Sequence, residues 1–366
     1  EKGWFLNMGL VLEVGDNISH KSYKLKCEFC NSKNINIKYQ IKNDNIFECK
    51  NCGILFSSFN KKKSQKIYSE NYYLSNNRKD GYNDYNGMYK SHKSTFLKRL
   101  EFIENNYKKE GLVFDFGCAL GHFCEVAKEK NWIVIGSDLA TYAAKYTKNK
   151  YDINTFICDI THPPVTNNIA DLICLYDLIE HIPHPKKSLL ALKNILKNDG
   201  ILHIVTPDSN SFSAKILGAR WFHYKPQEHL FYFNKHNLTN LLRQTGFEVL
   251  KVYSNFSYMA LDDIFIRLSF YLGPISKFII YILSLFNMKK VVVPIYVGNF
   301  EIIAKPKYLS KSEFKNSLSP KLINFDEIFN CLNCDHGLKI ESEKKIKCNN
   351  CLIEYVIDDG VPNFII

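Results

Sequence analysis

Apolar residues recur along this chain in two rhythms. Short, nearly continuous runs fall at 112–116, 132–137, 154–158, 171–176 and 200–205, and stretches with helical spacing lie between them. Continuous apolar runs of that length suit strands buried on both faces. Their alternation with helices predicts an α/β fold built on a parallel sheet. Further runs at 247–254 and 298–305 add strands, and "INIKYQI" predicts a separate short strand over 35–41. After Pro274, the residues Ile275, Phe278, Ile279, Ile282, Leu283 and Phe286 follow helical spacing, with Ser276, Lys277, Tyr281 and Ser284 on the other face. This helix lies in the most hydrophobic stretch, 264–288. Arg267, Lys277 and the Gly273-Pro274 break leave about eleven uncharged residues in a row, too few to span a bilayer. The insertion 255–297 therefore reads as a lid packed on the core, or as an apolar mouth for a lipid-linked acceptor or shallow membrane contact.

Cysteine spacing changes the picture at both ends. Eight of the 12 cysteines form C-x-x-C pairs, Cys27/Cys30, Cys49/Cys52, Cys331/Cys334 and Cys348/Cys351. The others, Cys118, Cys124, Cys158 and Cys174, sit singly among apolar residues. Two such knuckles joined by short strands bring four thiolates around one Zn²⁺, and four cysteines leave no open position, so both sites read as structural. The expected organisation is an N-terminal zinc ribbon (1–60), a Tyr-rich linker and cap helix (61–110), a main domain (111–308) and a second ribbon (320–366). The segment 61–95 is too aromatic for a free linker, and its tyrosines are expected to pack on the main domain. The opening "WFLNMGLVLEV" is interrupted by Glu13 and lacks a small-residue cleavage site, so it predicts no signal peptide; Glu1 leaves Met8 as a candidate start. A reducing, cytoplasmic setting with metal fits these cysteines better than disulfides. The net charge of +11 fits a solvated lysine-rich surface, or else a nucleic-acid or anionic-membrane partner.

The first strand of the main domain runs into "DFGCALGH". A dinucleotide fingerprint, G-x-G-x-x-G, would need a glycine at 122, where His122 stands. The spacing of Asp115, Gly117, Ala119 and Gly121 is instead similar to the first motif of class I S-adenosylmethionine (SAM) methyltransferases. Ala119 departs from the common glycine, which weakens the motif without excluding it. The next strand ends at Asp138, where a carboxylate can accept hydrogen bonds from both ribose hydroxyls. The third ends at Asp159, which in that family typically approaches the adenine amino group, and the fourth leads into "YDLIEHIPHP". Capping and turn propensity explain any one of these acids, but less readily all of them in register with one loop. The resemblance implies a seven-stranded Rossmann-like sheet and a SAM site at Asp115, Gly117, Cys118, Gly121, Asp138, Leu139, Asp159, Ile160 and Asp177.

Residues 112–305 resemble the methyltransferases that include ubiquinone O-methyltransferases and glycan-pathway enzymes, on "DFGCALGHF", "GSDLA", "LKNDGILHIVTPD" and "RWFHYKPQEHLFYF". In such relatives a D/E-x-x-E-H arrangement can hold a divalent cation, and Asp177, Glu180 and His181 match it. His181, Glu180 and Asp177 are also the candidate catalytic residues; alternatively, they form a helix-start cluster packed beside the cofactor. Trp221, His223, Glu228 and His229 form either an acceptor pocket or an aromatic mini-core. The tail "CLIEYVIDDGVPNFII" resembles Trm112-type ribbons, which often partner methyltransferases. The expectation is O-methylation of a small-molecule, sugar or lipid-linked glycan acceptor. Two rivals stand beside it: an RNA methyltransferase whose ribbons grip phosphates, and a non-catalytic zinc-ribbon adaptor.

Overall fold

A computed structural model of the chain describes residues 25–57, 88–254, 256–307 and 325–365. Glu1 and Met8, the tyrosine-rich residues 61–87 and the junction 308–324 lie outside the described residues. The chain opens with an antiparallel ribbon, β1 (Ile35–Ile41), β2 (Asp44–Cys49) and β3 (Leu55–Ser57), and helix α1 (Tyr89–Asn106) follows. Then come β4 (Leu112–Phe116), α2 (His122–Glu129), β5 (Ile133–Ser137), α3 (Thr141–Tyr151), β6 (Asn154–Phe156) and β7 (Ala170–Tyr176). Next are α4 (Pro185–Ile195), β8 (Leu196–Pro207), α5 (Phe212–Leu217), β9 (Phe231–Tyr232), α6 (Lys235–Gln244) and β10 (Phe247–Ser254). An excursion of β11 (Ser257–Ala260), α7 (Leu261–Leu272), α8 (Pro274–Leu285) and β12 (Val292–Ile295) precedes β13 (Asn299–Pro306). The second ribbon comprises β14 (Lys339–Ser342), β15 (Lys345–Lys347), β16 (Glu354–Asp358) and β17 (Val361–Asn363).

The main sheet has seven strands in the order β10-β13-β8-β7-β4-β5-β6, parallel except for β13, which runs antiparallel to both neighbours. This is the Rossmann-like sheet expected of a SAM methyltransferase. The chain reverses direction across the sheet between β4 and β7, and in open parallel sheets that switch point is where ligands bind. The predicted strand at 154–158 stops at Phe156, because Ile157 pairs outward with Asn363 of the second ribbon.

Each sheet face buries a different set of side chains. One face packs Leu100 and Ile103 of α1 with Phe123, Val126 and Trp132. On the other, Phe114, Phe116 and Phe156 join a core that continues into both ribbons, through Phe47 and Phe56 at one end and Phe329 and Phe364 at the other. Phe156 meets Phe329 and Phe364 edge-on, with centroids 5.3 and 6.3 Å away. Aromatic pairs of this geometry add about 0.5–1.5 kcal/mol beyond area burial. A buried ion pair ties α1 to the antiparallel strand: Arg99 Nε lies 2.8 Å from Glu301 Oε1. Tyr253 donates to Glu301 Oε2 at 2.9 Å, and His203 Nε2 lies 3.1 Å from it. Burial alone would raise the Glu301 pKa; Arg99 and His203 hold it well below the usual carboxylate range instead.

Candidate functional site

The loop after β4 is built by backbone geometry. Gly117 and Gly121 both have φ of +75°, and Ala119 has φ of +47°, so three alternate positions enter the left-handed region. That conformation costs a non-glycine residue roughly 1–2 kcal/mol. The amides of Gly117 and Cys118 donate to the Ser137 carbonyl at 2.7 and 3.0 Å, pinning the loop to the end of β5. Asp138 completes the clamp, accepting from Ala119 N at 2.9 Å and Ala140 N at 2.8 Å. Burial raises the Asp138 pKa to about 6, against the pull of those two amides.

The loop residues divide into lining and scaffold. Gly117, Asp138, Leu139, Asp159 and Ile160 line a cavity of about 1670 Å³, together with Ala119 and Ser137. Asp115, Cys118 and Gly121 do not line it. The Asp115 carboxyl accepts the Cys124 thiol at 3.3 Å, and burial raises its pKa to about 7. Cys118 packs under Gly136, where an added Cβ would lie 3.1 Å from its sulfur. A Cβ on Gly121 would lie 2.6 Å from Thr147 Cγ2, so glycine here lets α2 start against α3. Asp159 Oδ1 accepts from both the amide and the hydroxyl of Thr161 at 2.8 Å.

The same cavity continues to the end of β7 and the 220–233 loop, where Asp177, Glu180, His181, Trp221, His223, Glu228 and His229 line it. Glu180, His181 and His229 come together, each offering a ligand atom within 4.8 Å of the others. Here the structure departs from the Asp177/Glu180/His181 set read from sequence. Asp177 sits at φ +50° and its carboxylate accepts from Asn299 Nδ2 at 3.1 Å, so His229, from a distant loop, takes its place in the cluster. The Glu228 carbonyl lies 2.9 Å from His181 Nδ1 and can only accept, which puts the proton on Nδ1 and the lone pair on Nε2. The buried Nδ1 of His229 has no hydrogen-bond partner among the described residues. Burial lowers the pKa of both rings, and the neighbouring His181 lowers His229 further. Burial and then the Asp177 charge raise Glu180 well above its usual value. Two neutral imidazoles and a carboxylate suit a divalent cation such as Zn²⁺ or Mn²⁺. Trp221 packs in a cluster with Ile46, Leu55 and Tyr232 and also lines the cavity.

Two contributors were missed in the sequence. Arg99 lines the cavity from α1, its guanidinium 5.4 Å from the Tyr176 ring centroid. An arginine on a half-apolar helix in a chain otherwise rich in exposed lysine was the available signal. The second is Ser57, at the end of β3, whose hydroxyl donates to the His229 carbonyl at 2.7 Å while its amide donates to the Leu230 carbonyl at 2.9 Å. Leu230 N in turn donates to the Glu180 carbonyl at 2.8 Å. The first ribbon thus holds the backbone that aims His229, and nothing local in the sequence near Ser57 announces it.

Both four-cysteine groups are assembled, and all 12 cysteines are free thiols. Sulfur pairs lie 3.5 Å apart for Cys27/Cys52 and Cys30/Cys49, and 3.4 Å for Cys331/Cys351 and Cys334/Cys348. Zn–S bonds of about 2.3 Å in a tetrahedron place sulfurs roughly 3.8 Å apart, so either site accepts zinc with little movement.

Comparison with known proteins finds methyltransferases similar to the centre of the chain. Residues 89–252 match a family described as "Methyltransferase domain". An uncharacterised protein of Methanocaldococcus jannaschii is 34% identical over 119 residues, 32% of this chain and 48% of that protein. A ubiquinone biosynthesis O-methyltransferase of Glaesserella parasuis is 31% identical over 139 residues, 34% of this chain and 58% of the enzyme. The chain thus spans about half the length of these relatives. Among solved structures, a SAM-dependent methyltransferase of Archaeoglobus fulgidus aligns at 20% identity over 61% of this chain and 100% of its own, with a TM-score of 0.41. The central part of the chain, residues 89–252, is thus similar to a methyltransferase domain.

Proposed function

We propose that the chain transfers a methyl group from SAM to an oxygen of a small-molecule, sugar or lipid-linked acceptor. One observation carries the reading. The cavity that begins at Gly117, Asp138 and Asp159 runs unbroken to Glu180, His181 and His229. Its size exceeds the roughly 300–1,000 Å³ of ordinary small-ligand sites, leaving room for donor and acceptor together. SAM supplies an activated sulfonium methyl; the acceptor oxygen forms the new C–O bond as the C–S bond breaks and its electrons return to sulfur.

The protein's part is alignment and proton removal. Asp138 offers its remaining lone pairs to the ribose hydroxyls, and Asp159 stands at the adenine end. Arg99 supports the carboxylate of the methionine tail. The neutral His181 and His229 rings are placed to accept the acceptor's hydroxyl proton. A divalent cation, if bound by Glu180, His181 and His229, would acidify that hydroxyl.

Titration calorimetry with SAM tests the first half. Asp138→Ala should weaken SAM binding about ten- to a hundredfold, the worth of one or two charge-assisted hydrogen bonds. Unchanged affinity would defeat the reading. Affinity should also depend on pH through Asp138. Its folded pKa is raised to about 6, so below that value the carboxyl is protonated and accepts less well, and SAM binding weakens as pH falls through 6. Asp138→Asn should flatten that dependence. Incubation with labelled SAM and fractionated extract, asking whether an apolar or sugar fraction takes up label, tests the acceptor class.

A further inference from the structure

The α7–α8 hairpin has an inner and an outer side. On the inner side Asp262, Ile266 and Arg267 of α7 line the cavity. On the outer side α8 is an apolar helix without a core: of its 12 residues, Ser276 alone is buried. Ile275, Phe278, Tyr281 and Leu285 are 61%, 63%, 59% and 60% exposed, and Phe286 just beyond is 70% exposed. Their spacing of three and four places them in one stripe, which takes in Tyr281, set on the opposite face by the sequence periodicity. Scattered exposed apolar side chains are ordinary, whereas a contiguous stripe marks a contact surface.

The charges around the stripe identify what it meets. From Ile264 to Phe300 the chain contains no Asp or Glu, while Arg267, Lys277, Lys289 and Lys290 all fall within it. Lys290 pairs with Asp262 at 3.0 Å, and Arg267 lies over the Phe222 ring at 5.5 Å. Lys277 and Lys289 flank the stripe itself. A second copy of this face would bring cations against cations with no acid between them. An anionic surface has the opposite sign. At 12 residues α8 is about 18 Å long, well short of a hydrocarbon core of about 30 Å, so it can lie on a bilayer and cannot cross one. Among the described residues no helix is long and apolar enough to cross a membrane.

We propose that α8 rests on an anionic bilayer, with its apolar stripe at the boundary of headgroups and acyl chains and Lys277 and Lys289 against lipid phosphates. The hairpin then stands between the lipid surface and the cavity, where an acceptor carried on a lipid anchor would enter. That last step rests on the methyl-transfer reading; the membrane contact does not.

Vesicle flotation of the full, zinc-loaded chain tests this. Protein should float with phosphatidylcholine vesicles containing phosphatidylglycerol and stay at the bottom with phosphatidylcholine alone. A Phe278→Asp, Leu285→Asp double variant should no longer float, yet keep its melting temperature and SAM affinity, because neither side chain lines the cavity. Lys277→Glu should weaken vesicle binding about fivefold, an effect that fades in high salt. The proposal is overturned if wild-type protein fails to float with the anionic vesicles, or if the double variant floats as well as wild type. It is equally overturned if sedimentation shows a dimer that the double variant dissociates, since a second copy then covers the stripe. Unfolding of the double variant would also overturn it, by placing the stripe against the chain's own residues. Calorimetry on the same samples separates the two readings: flotation without SAM binding sinks methyl transfer alone, and SAM binding without flotation sinks the membrane contact alone.

Discussion

The first ribbon continues its sheet into the 220–233 loop, whereas the second joins the edge of the main sheet. In the first, Leu55 and Phe56 of β3 pair with Tyr232 and Phe231 of β9, and Phe29 meets the Phe231 ring edge-on at 5.1 Å. Ile41, Lys42 and Asp44 of that ribbon line the cavity. In the second, Ile157 exchanges hydrogen bonds with Pro362 and Phe364 at 2.8 and 2.9 Å, and Lys145 of α3 reaches Asp358 and Asp359 at 2.7 and 2.8 Å. Ile365 extends from it to the cavity. One cysteine motif therefore supports two different walls. The first ribbon stands behind the cluster of Glu180, His181 and His229. The second stands behind β6 and the strand end that carries Asp159. Four-cysteine chemistry fixes a small module; which wall the module serves is decided by the strand it pairs with.

The largest effects should come from removing one thiolate at each end. Cys49→Ser and Cys348→Ser should each lose one zinc and lower the melting temperature, because loss of a structural metal removes folding energy outright. If the division holds, Cys348→Ser weakens SAM binding about tenfold, close to 1.4 kcal/mol, while Cys49→Ser leaves it nearly unchanged and removes methyl transfer. Metal analysis with SAM calorimetry checks both; equal losses of SAM affinity would erase the distinction. Next in size is Gly121→Ala. The new Cβ meets Thr147 at 2.6 Å in a left-handed conformation, so a loss of about 2–4 kcal/mol is expected in denaturant unfolding. SAM affinity of the folded fraction should persist, since Gly121 does not line the cavity.

Smaller and more local is Ser57→Ala. It removes one buried hydrogen bond to the His229 carbonyl, about 1 kcal/mol of stability, and should impair transfer without altering SAM affinity. Ser57→Thr, which keeps the hydroxyl, should restore transfer. Smallest of all is Ala119→Gly. Relief at φ +47° is offset by glycine's greater chain entropy, so melting temperature and SAM affinity should stay level or rise slightly. A large loss in either would mean the Ala119 methyl contributes more than its contacts with the Tyr142 and Tyr146 cluster indicate.

Local patterns were legible where the chemistry is local. The run at 112–116 appears as β4 because a strand buried on both faces leaves little room for polar positions. The C-x-x-C pairs gave the cysteine clusters because ligand spacing within a knuckle is a sequence property. What the sequence hid is pairing across distance. His229 is held near Glu180 and His181 by the β3–β9 ladder, and the Asp177 carboxylate is turned to a hydrogen bond donated by Asn299, far along the chain. Arg99 was equally hidden, since its burial depends on Glu301 of a strand that is last in the sheet's sequence order. The acid of the loop motif, Asp115, reads from sequence like a ligand-facing residue, yet its carboxyl faces a thiol in the interior.

The core that runs from Phe47 through Phe156 to Phe364 has a consequence for biosynthesis. Until residues 361–364 have been made, β6 stays a bare sheet edge, and Phe156 lacks Phe364. A ribosome-bound chain carrying a finished β4–β5 pair would still display that sticky border. Expression of truncated forms should therefore yield aggregates rather than a smaller enzyme, and chaperone dependence should be greatest in the interval between synthesis of β6 and of β17.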